Sequence, residues 1–110
     1  MLLKASNINL PKAFVCQGNT QPTGRYTLEA LHEPQPTEKT LLKVYQGDKV
    51  LCELPGSPTK VNSTNKNSRT HVLTRVNPQM KAIEVSVVLP PGMRAQIPNQ
   101  VFYIPLASGN

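Results

Sequence analysis

The chain is poor in several features that mark common functional classes. Tryptophan is absent, aromatic residues make up 5% of the 110 residues and charged residues 16%, below the usual roughly 25%. No apolar run reaches the roughly 18 residues that a membrane-spanning helix needs. Frequent prolines, 11 in all, interrupt any long helical pattern. These shortages argue against a membrane protein and a helical bundle, and they predict an aliphatic core.

The reactive groups that catalysis requires do not cluster in the sequence. The glycines stand singly, so no glycine-rich phosphate loop occurs. The two histidines, His32 and His71, lie far from both cysteines, which leaves no metal-ligand spacing. Among the six carboxylates, Glu29 and Glu33 share a face that a solvated strand explains, and a hairpin turn explains Asp48; the others are Glu38, Glu53 and Glu84. We therefore expect a protein that is not an enzyme and has no cofactor, metal or small-molecule substrate.

Cys16 and Cys52 lie 36 positions apart. Free cysteine packs as a small hydrophobic residue, so we expect two half-buried thiols, with a disulfide as the alternative.

Near the start of the chain, polar residues such as Lys4 and Asn7 interrupt any apolar stretch of signal-peptide type. We therefore expect cytoplasmic location at synthesis, with later incorporation into a virion left open.

The spacing of proline and glycine predicts short strands joined by turns. We expect one all-β domain over residues 1–110, either a small antiparallel β-sandwich or a closed barrel of about seven to eight short strands. In the strand at 25–33, Tyr26, Leu28 and Ala30 share one face. The candidate strands span 2–10, 13–17, 25–33, 40–45, 50–54, 70–76, 81–89, 93–97 and 100–106.

The clearest hairpin joins the apolar runs at 40–45 and 50–54. Gly47 would supply the positive φ of a two-residue type II′ turn. Tyr45 would then oppose Val50, and Leu41 would oppose Leu54. This register places Lys43, Tyr45, Val50, Cys52 and Leu54 on the same face as Leu41, with Leu42, Val44, Leu51 and Glu53 on the other.

Positive charge is concentrated in the second half of the chain. Residues 1–53 hold six basic and five acidic groups, a net of +1, whereas residues 54–110 hold six basic groups and one acid, a net of +5. We expect 62–68, which has no apolar residue, to form an exposed polar loop. The candidate contacts to a nucleic acid or an acidic protein neighbour are Lys60, Lys66, Arg69, Arg75 and Lys81.

Two tyrosines could add stacking surfaces for single-stranded nucleic acid, because Tyr26 follows Arg25 and Tyr45 lies near Lys43. The segment Gly24-Arg25-Tyr26-Thr27-Leu28, followed by a proline-containing break and Leu41-Leu42-Lys43-Val44, resembles the opening of the small single-stranded-DNA-binding proteins of filamentous phages. The resemblance covers less than half of the chain, and we assign no family on it.

The composition favours an assembly role over the nucleic-acid alternative. The chain is rich in Asn, Gln, Ser, Thr and Pro, and prolines near strand ends blunt free edges or extend arms. We expect residues 1–10 and 100–110 to contact neighbouring subunits as added strands. The expected function is a structural protein that self-associates or docks on a larger particle, plausibly viral, through strand edges. The alternative is an OB-like nucleic-acid-binding protein.

Overall fold

Strands and turns make up the described part of the chain, which in this computed structural model comprises residues 3–32, 40–58, 70–90 and 99–107. No helix occurs within these ranges, so the all-β prediction is confirmed. The ten strands are β1 (Leu3–Leu10), β2 (Phe14–Cys16), β3 (Asn19–Gln21), β4 (Gly24–His32), β5 (Thr40–Gln46), β6 (Lys49–Pro55), β7 (Ser57–Pro58), β8 (His71–Asn77), β9 (Ala82–Val88) and β10 (Gln100–Pro105).

The strands form three antiparallel sheets. The first sheet has the order β1-β4-β5-β6, the second sheet has the order β7-β10-β9-β8, and β2 pairs with β3 in a short ribbon. The expected number of strands was lower because β3 and β7, of three and two residues, carry no apolar alternation that a sequence pattern would show. The expected strand at 93–97 and the expected loop at 62–68 lie outside the described residues.

One hydrophobic cluster receives side chains from both four-stranded sheets. The predicted inward face of β4 is confirmed, since Tyr26, Leu28 and Ala30 are buried. In 81–89 the predicted face of Ile83, Val85, Val87 and Leu89 is fully buried, but Ala82, Ser86 and Val88 of the other face are buried too, so this strand is covered on both sides. Other members of the cluster are Leu10, Phe14, Leu42, Val44, Phe102 and Ile104.

The prediction of a closed barrel is wrong. The chain passes from the first sheet to the second through Gly56, whose amide donates to the carbonyl of Thr40 at 2.8 Å. On the other side β1 packs near β8, but in the described ranges no ladder joins these two strands. The pairing of β1 with β4 shifts register between Ala5 and Ile8, and such an irregularity bends a strand and disrupts regular pairing.

The hairpin of β5 and β6 confirms the turn and corrects the faces. Gly47 has a φ of 62° and Tyr45 pairs with Val50, as predicted. A register shift follows, so that Val44 pairs with Cys52 and Lys43 with Glu53. The one-residue bulge therefore reverses the faces predicted for Cys52–Leu54, because side chains alternate along a strand.

The expectation of two free thiols is wrong, because Cys16 and Cys52 form a disulfide with a Cα–Cα distance of 5.3 Å. Both residues are almost fully buried, with 2% and 1% of their surface exposed. The bond ties the β2–β3 ribbon to the first sheet. Cysteine spacing could not show it, since the pairing depends on how β2 packs against β6.

Both terminal segments pair within their own chain. β1 is one of the two outer strands of the first sheet, whereas β10 lies between β7 and β9. On the β7 side only Gln100 and Val101 of β10 are paired among the described residues, and that residues 100–110 contact a neighbouring subunit stays a prediction. That β1 contacts a neighbouring subunit stays a prediction.

Candidate docking edge

Three of the four outer strands of the two four-stranded sheets carry features that hinder pairing with another chain. In β1 the ladder is interrupted beside Asn7, which has a φ of 59°. In β6 the bulge at Leu51 breaks the ladder, and in β7 only two residues are extended, one of them Pro58. Bulges, prolines and very short edge strands are the means by which proteins prevent edge-to-edge association.

The fourth outer strand, β8, has none of these features. From His71 to Asn77 every residue pairs with β9 without a register shift, and the strand contains no proline, glycine or lysine. Within the described ranges no strand pairs with its other edge. An edge of this kind presents unpaired backbone N–H and C=O groups to an incoming strand. We refer to β8 as the docking edge.

The outward face of the docking edge offers apolar surface. Leu73 is 52% exposed, and a cavity of about 270 Å³ opens beside it, lined by Leu73, Thr74, Arg75, Glu84 and Ser86. Burial of such a leucine under a partner is favourable because apolar surface leaves water. This arrangement suits a docked strand whose side chains cover the leucine and enter the cavity.

The charge on the docking edge is locally compensated. Nε of Arg75 donates to Oε2 of Glu84, and Nδ2 of Asn77 donates to the other carboxylate oxygen at 3.4 Å. The hydrogen bond from Arg75, helped by that from Asn77 and opposed by partial burial, lowers the pKa of Glu84. The same carboxylate raises the pKa of Arg75. Two copies could therefore approach at β8 without a strong repulsion between unpaired arginines.

The structure describes two of the five basic residues that the sequence singles out, Arg75 and Lys81. Lys60, Lys66 and Arg69 lie outside the described residues. Arg75 is engaged by Glu84. Lys81 is exposed in the turn between β8 and β9, with a φ of 51°.

Tyr26 lies in the core and offers no free ring face to a base. It is 4% exposed, its hydroxyl donates to the carbonyl of Pro22 at 2.7 Å, and its ring meets that of Phe14 edge to face at 5.1 Å. Burial raises the pKa of this hydroxyl.

Tyr45 is half-buried in β5 of the first sheet, whereas Arg75 belongs to β8 of the second sheet. Its hydroxyl donates to Oε1 of Glu29 at 2.9 Å, and Nζ of Lys4 lies 5.5 Å from the ring centroid. The hydrogen bond to Glu29, followed by burial, raises the pKa of Tyr45. The described residues therefore do not combine the tyrosines with Arg75 and Lys81 in one binding surface.

The described ranges also contain no group of three or more His, Cys, Asp or Glu side chains placed to hold a metal ion. Among the same residues no helix has the length and apolar character that crossing a membrane demands. The expectations that no metal and no membrane are involved stay predictions.

The sequence analysis missed the docking edge and Leu73. A usable signal was present, because the predicted strand at 70–76 contains no proline, glycine or lysine. What the sequence could not show was that this strand lies at the outside of its sheet. Strand order depends on long-range pairing, which a single sequence does not record.

No protein-family model, no curated protein and no solved structure matches the chain. Its function is therefore argued from the geometry of its surfaces.

Proposed function

We propose that the protein is a non-enzymatic assembly protein that self-associates by pairing the docking edge β8 of one copy with β8 of another. The observation that carries this proposal is the contrast between β8, which pairs regularly with β9 and has no second partner strand among the described residues, and the other three outer strands of the two four-stranded sheets, which are interrupted or very short. The particle that such subunits would build, and its viral nature, stay predictions from composition.

An antiparallel pairing of two β8 strands about a twofold axis gives the backbone N–H and C=O groups partners and also places the side chains favourably. If Thr74 lies opposite its own copy, Arg75 lies opposite Leu73 of the second copy, since opposed residues keep a constant sum of positions. The two arginines then do not lie opposite each other, which is favourable because like charges directly opposite one another destabilise a strand pair. The exposed leucine gains cover from the aliphatic part of an arginine side chain.

The disulfide supports a final location outside the reducing cytosol. Disulfides form and persist in oxidising surroundings or in assembled particles, and glutathione and thioredoxin keep cytosolic thiols reduced. We infer that the buried Cys16–Cys52 bond belongs to the mature, assembled protein, whatever its site of synthesis.

The test compares two substitutions at equally exposed apolar residues. Leu73 on the docking edge is 52% exposed, and Met80 in the turn after β8 is 53% exposed. We expect Leu73→Lys to reduce the mass measured by light scattering, because lysine on an edge opposes strand addition. Met80→Lys should leave that mass unchanged. An unchanged mass for Leu73→Lys, or a strictly monomeric wild-type protein at high concentration, contradicts the proposal.

The nucleic-acid alternative is favoured by one observation, the net charge of +5 over residues 54–110. Since Arg75 compensates Glu84, the single acid of this half, the other basic groups there face no acid from the same half of the chain. This alternative predicts a gel shift of an oligonucleotide at low salt that fades steeply as salt rises. Neutralising Lys66 and Arg69 together should abolish the shift, and no shift with the wild-type protein would reject this alternative.

A further inference from the structure

The outward face of the first sheet carries a row of alternating charges that crosses all four strands. Lys4 of β1 pairs with Glu29 of β4, Glu29 pairs with Lys43 of β5, and Lys43 pairs with Glu53 of β6. Direct cross-strand partners share one face of a sheet. We refer to these four residues as the charge row. It contains two positive and two negative groups and so has no net charge, on a chain whose net charge is +6.

Contacts within the sheet hold the charge row in place. Nζ of Lys43 lies 3.7 Å from Oε1 of Glu53, and Oε1 of Glu29 accepts a hydrogen bond of 2.9 Å from the hydroxyl of Tyr45. Lys4 extends over the ring of that tyrosine. The ends of the row stay accessible, as Glu53 is 48% exposed and Lys4 is exposed.

Less polar residues border the row. On one side Leu31 pairs with Leu41, and both are half-buried. They point away from the core, because their neighbours Ala30 and Leu42 point into it. On the other side Thr27 pairs with Tyr45. The face therefore combines a neutral charge pattern with apolar surface.

We propose that this face binds a second copy of the chain, face to face, about a twofold axis that runs between β4 and β5. The rotation exchanges the two ends of the charge row, so Lys4 meets Glu53 of the second copy and Glu29 meets Lys43. It also brings Leu31 onto Leu41 of the second copy. The exposed charges at the two ends then meet opposite charges, while Glu29, which is only 9% exposed, contributes its charge from beneath the surface. The row is complementary to itself.

This surface is separate from the docking edge, so either interface can exist without the other. If both form, each chain contacts two others through two different twofold axes. Two such interfaces extend an assembly instead of closing it at a dimer. Face-to-face binding at the charge row would thus convert pairs joined at β8 into longer arrays.

A charge-exchange experiment tests the proposal in a Leu73→Lys background, where pairing at β8 is removed. We expect this variant to form dimers. Lys4→Glu or Glu53→Lys, added singly, should weaken dimerisation by about tenfold or more, because like charges then meet across the interface. Both substitutions together in one chain should restore dimerisation, since the exchanged charges are again complementary. Sedimentation analysis at low and high salt provides the measurement.

The restoration distinguishes contact between copies from effects inside one chain. Lys4 and Glu53 belong to the two outermost strands of the first sheet, about 14 Å apart at the usual strand spacing, and the described residues show no ion pair between them. Each single substitution places a like charge beside Glu29 or Lys43 within the chain, and the double substitution does not relieve this. A conservative control, Lys4→Arg, should keep dimerisation.

Three results would overturn the proposal: a Leu73→Lys protein that is monomeric, single charge reversals without effect, or a double reversal that fails to restore the dimer. The first of these leaves the proposed function intact if the wild-type protein associates. The opposite outcome is also distinguishable. If the Leu73→Lys protein has the same mass as the wild-type assembly, pairing at β8 is rejected. If the charge exchange still behaves as described, the face-to-face interface is retained.

Discussion

Removal of the disulfide should lower the free energy of unfolding by an amount that follows from the length of the loop between the two cysteines. Cys16 and Cys52 are separated by 36 positions. In the chain-entropy description, a loop of this size makes the cross-link worth about 4 kcal/mol at 25 °C. Domains of this size are stabilised by only about 5–15 kcal/mol, so the bond accounts for a large share of the total.

Urea unfolding of the wild-type protein and of the double variant Cys16→Ala/Cys52→Ala measures this contribution. For a typical dependence of about 1–3 kcal/mol per molar urea, the midpoint should fall by roughly 1–4 M. Wild-type protein unfolded in a reducing agent serves as the control and should lose a similar amount. Equal urea midpoints for the wild-type protein, the double variant and the reduced wild-type protein would refute the reasoning. Labelling of two thiols in the wild-type protein in urea without reductant would also refute it, because it would show that the cysteines are not bridged.

Two further predictions concern the corner between the sheets and the ion pair at the docking edge. Gly56→Ala should lower the free energy of unfolding by about 1–3 kcal/mol, because a Cβ at this position would lie 2.6 Å from Cε1 of the buried Phe102; an unchanged thermal midpoint would contradict this. The lowered pKa of Glu84 means that its stabilising effect is present above the unfolded value of 4.5 and is lost as the pH falls through the lower, folded value. The free energy of unfolding, measured as the pH is lowered, should therefore fall less steeply for Glu84→Gln than for the wild-type protein. If the two curves run parallel, the pairing of Glu84 with Arg75 is not coupled to folding.

Alternation along single strands was predictable from the sequence because it depends only on neighbouring residues. In β4 Tyr26, Leu28 and Ala30 are buried as the period of two indicates, whereas β9 is covered on both faces, with Ala82, Ser86 and Val88 buried as well. A strand with one buried face must alternate in this way, since successive side chains point to opposite sides.

Features that depend on pairing between strands were not predictable. The bulge at Leu51 reversed the faces predicted for Cys52, Glu53 and Leu54, although the positive φ at Gly47 was predicted correctly. The disulfide required β2 to meet β6, and the charge row required four strands to align in register. Each needs contacts between residues that are distant in sequence, and one sequence contains no record of such contacts.

The candidate site was only partly predictable for the same reason. Arg75 was singled out by its charge, but its pairing with Glu84 changes its role from an unpaired cation to part of a neutral edge. Tyr26 was singled out as an aromatic residue beside an arginine, and its burial removes it from any binding surface. The exposed Leu73 becomes informative only when β8 is known to be an outer strand.

Amide hydrogen exchange across β8, measured at low and at high protein concentration, tests the central claim most directly. In an outer strand about half of the backbone N–H groups point away from the sheet and exchange readily. If β8 pairs with a second copy, exchange in His71–Asn77 should slow as the measured mass rises, and it should stay fast in Leu73→Lys. A rise in mass with unchanged exchange in this segment would contradict assembly through the docking edge.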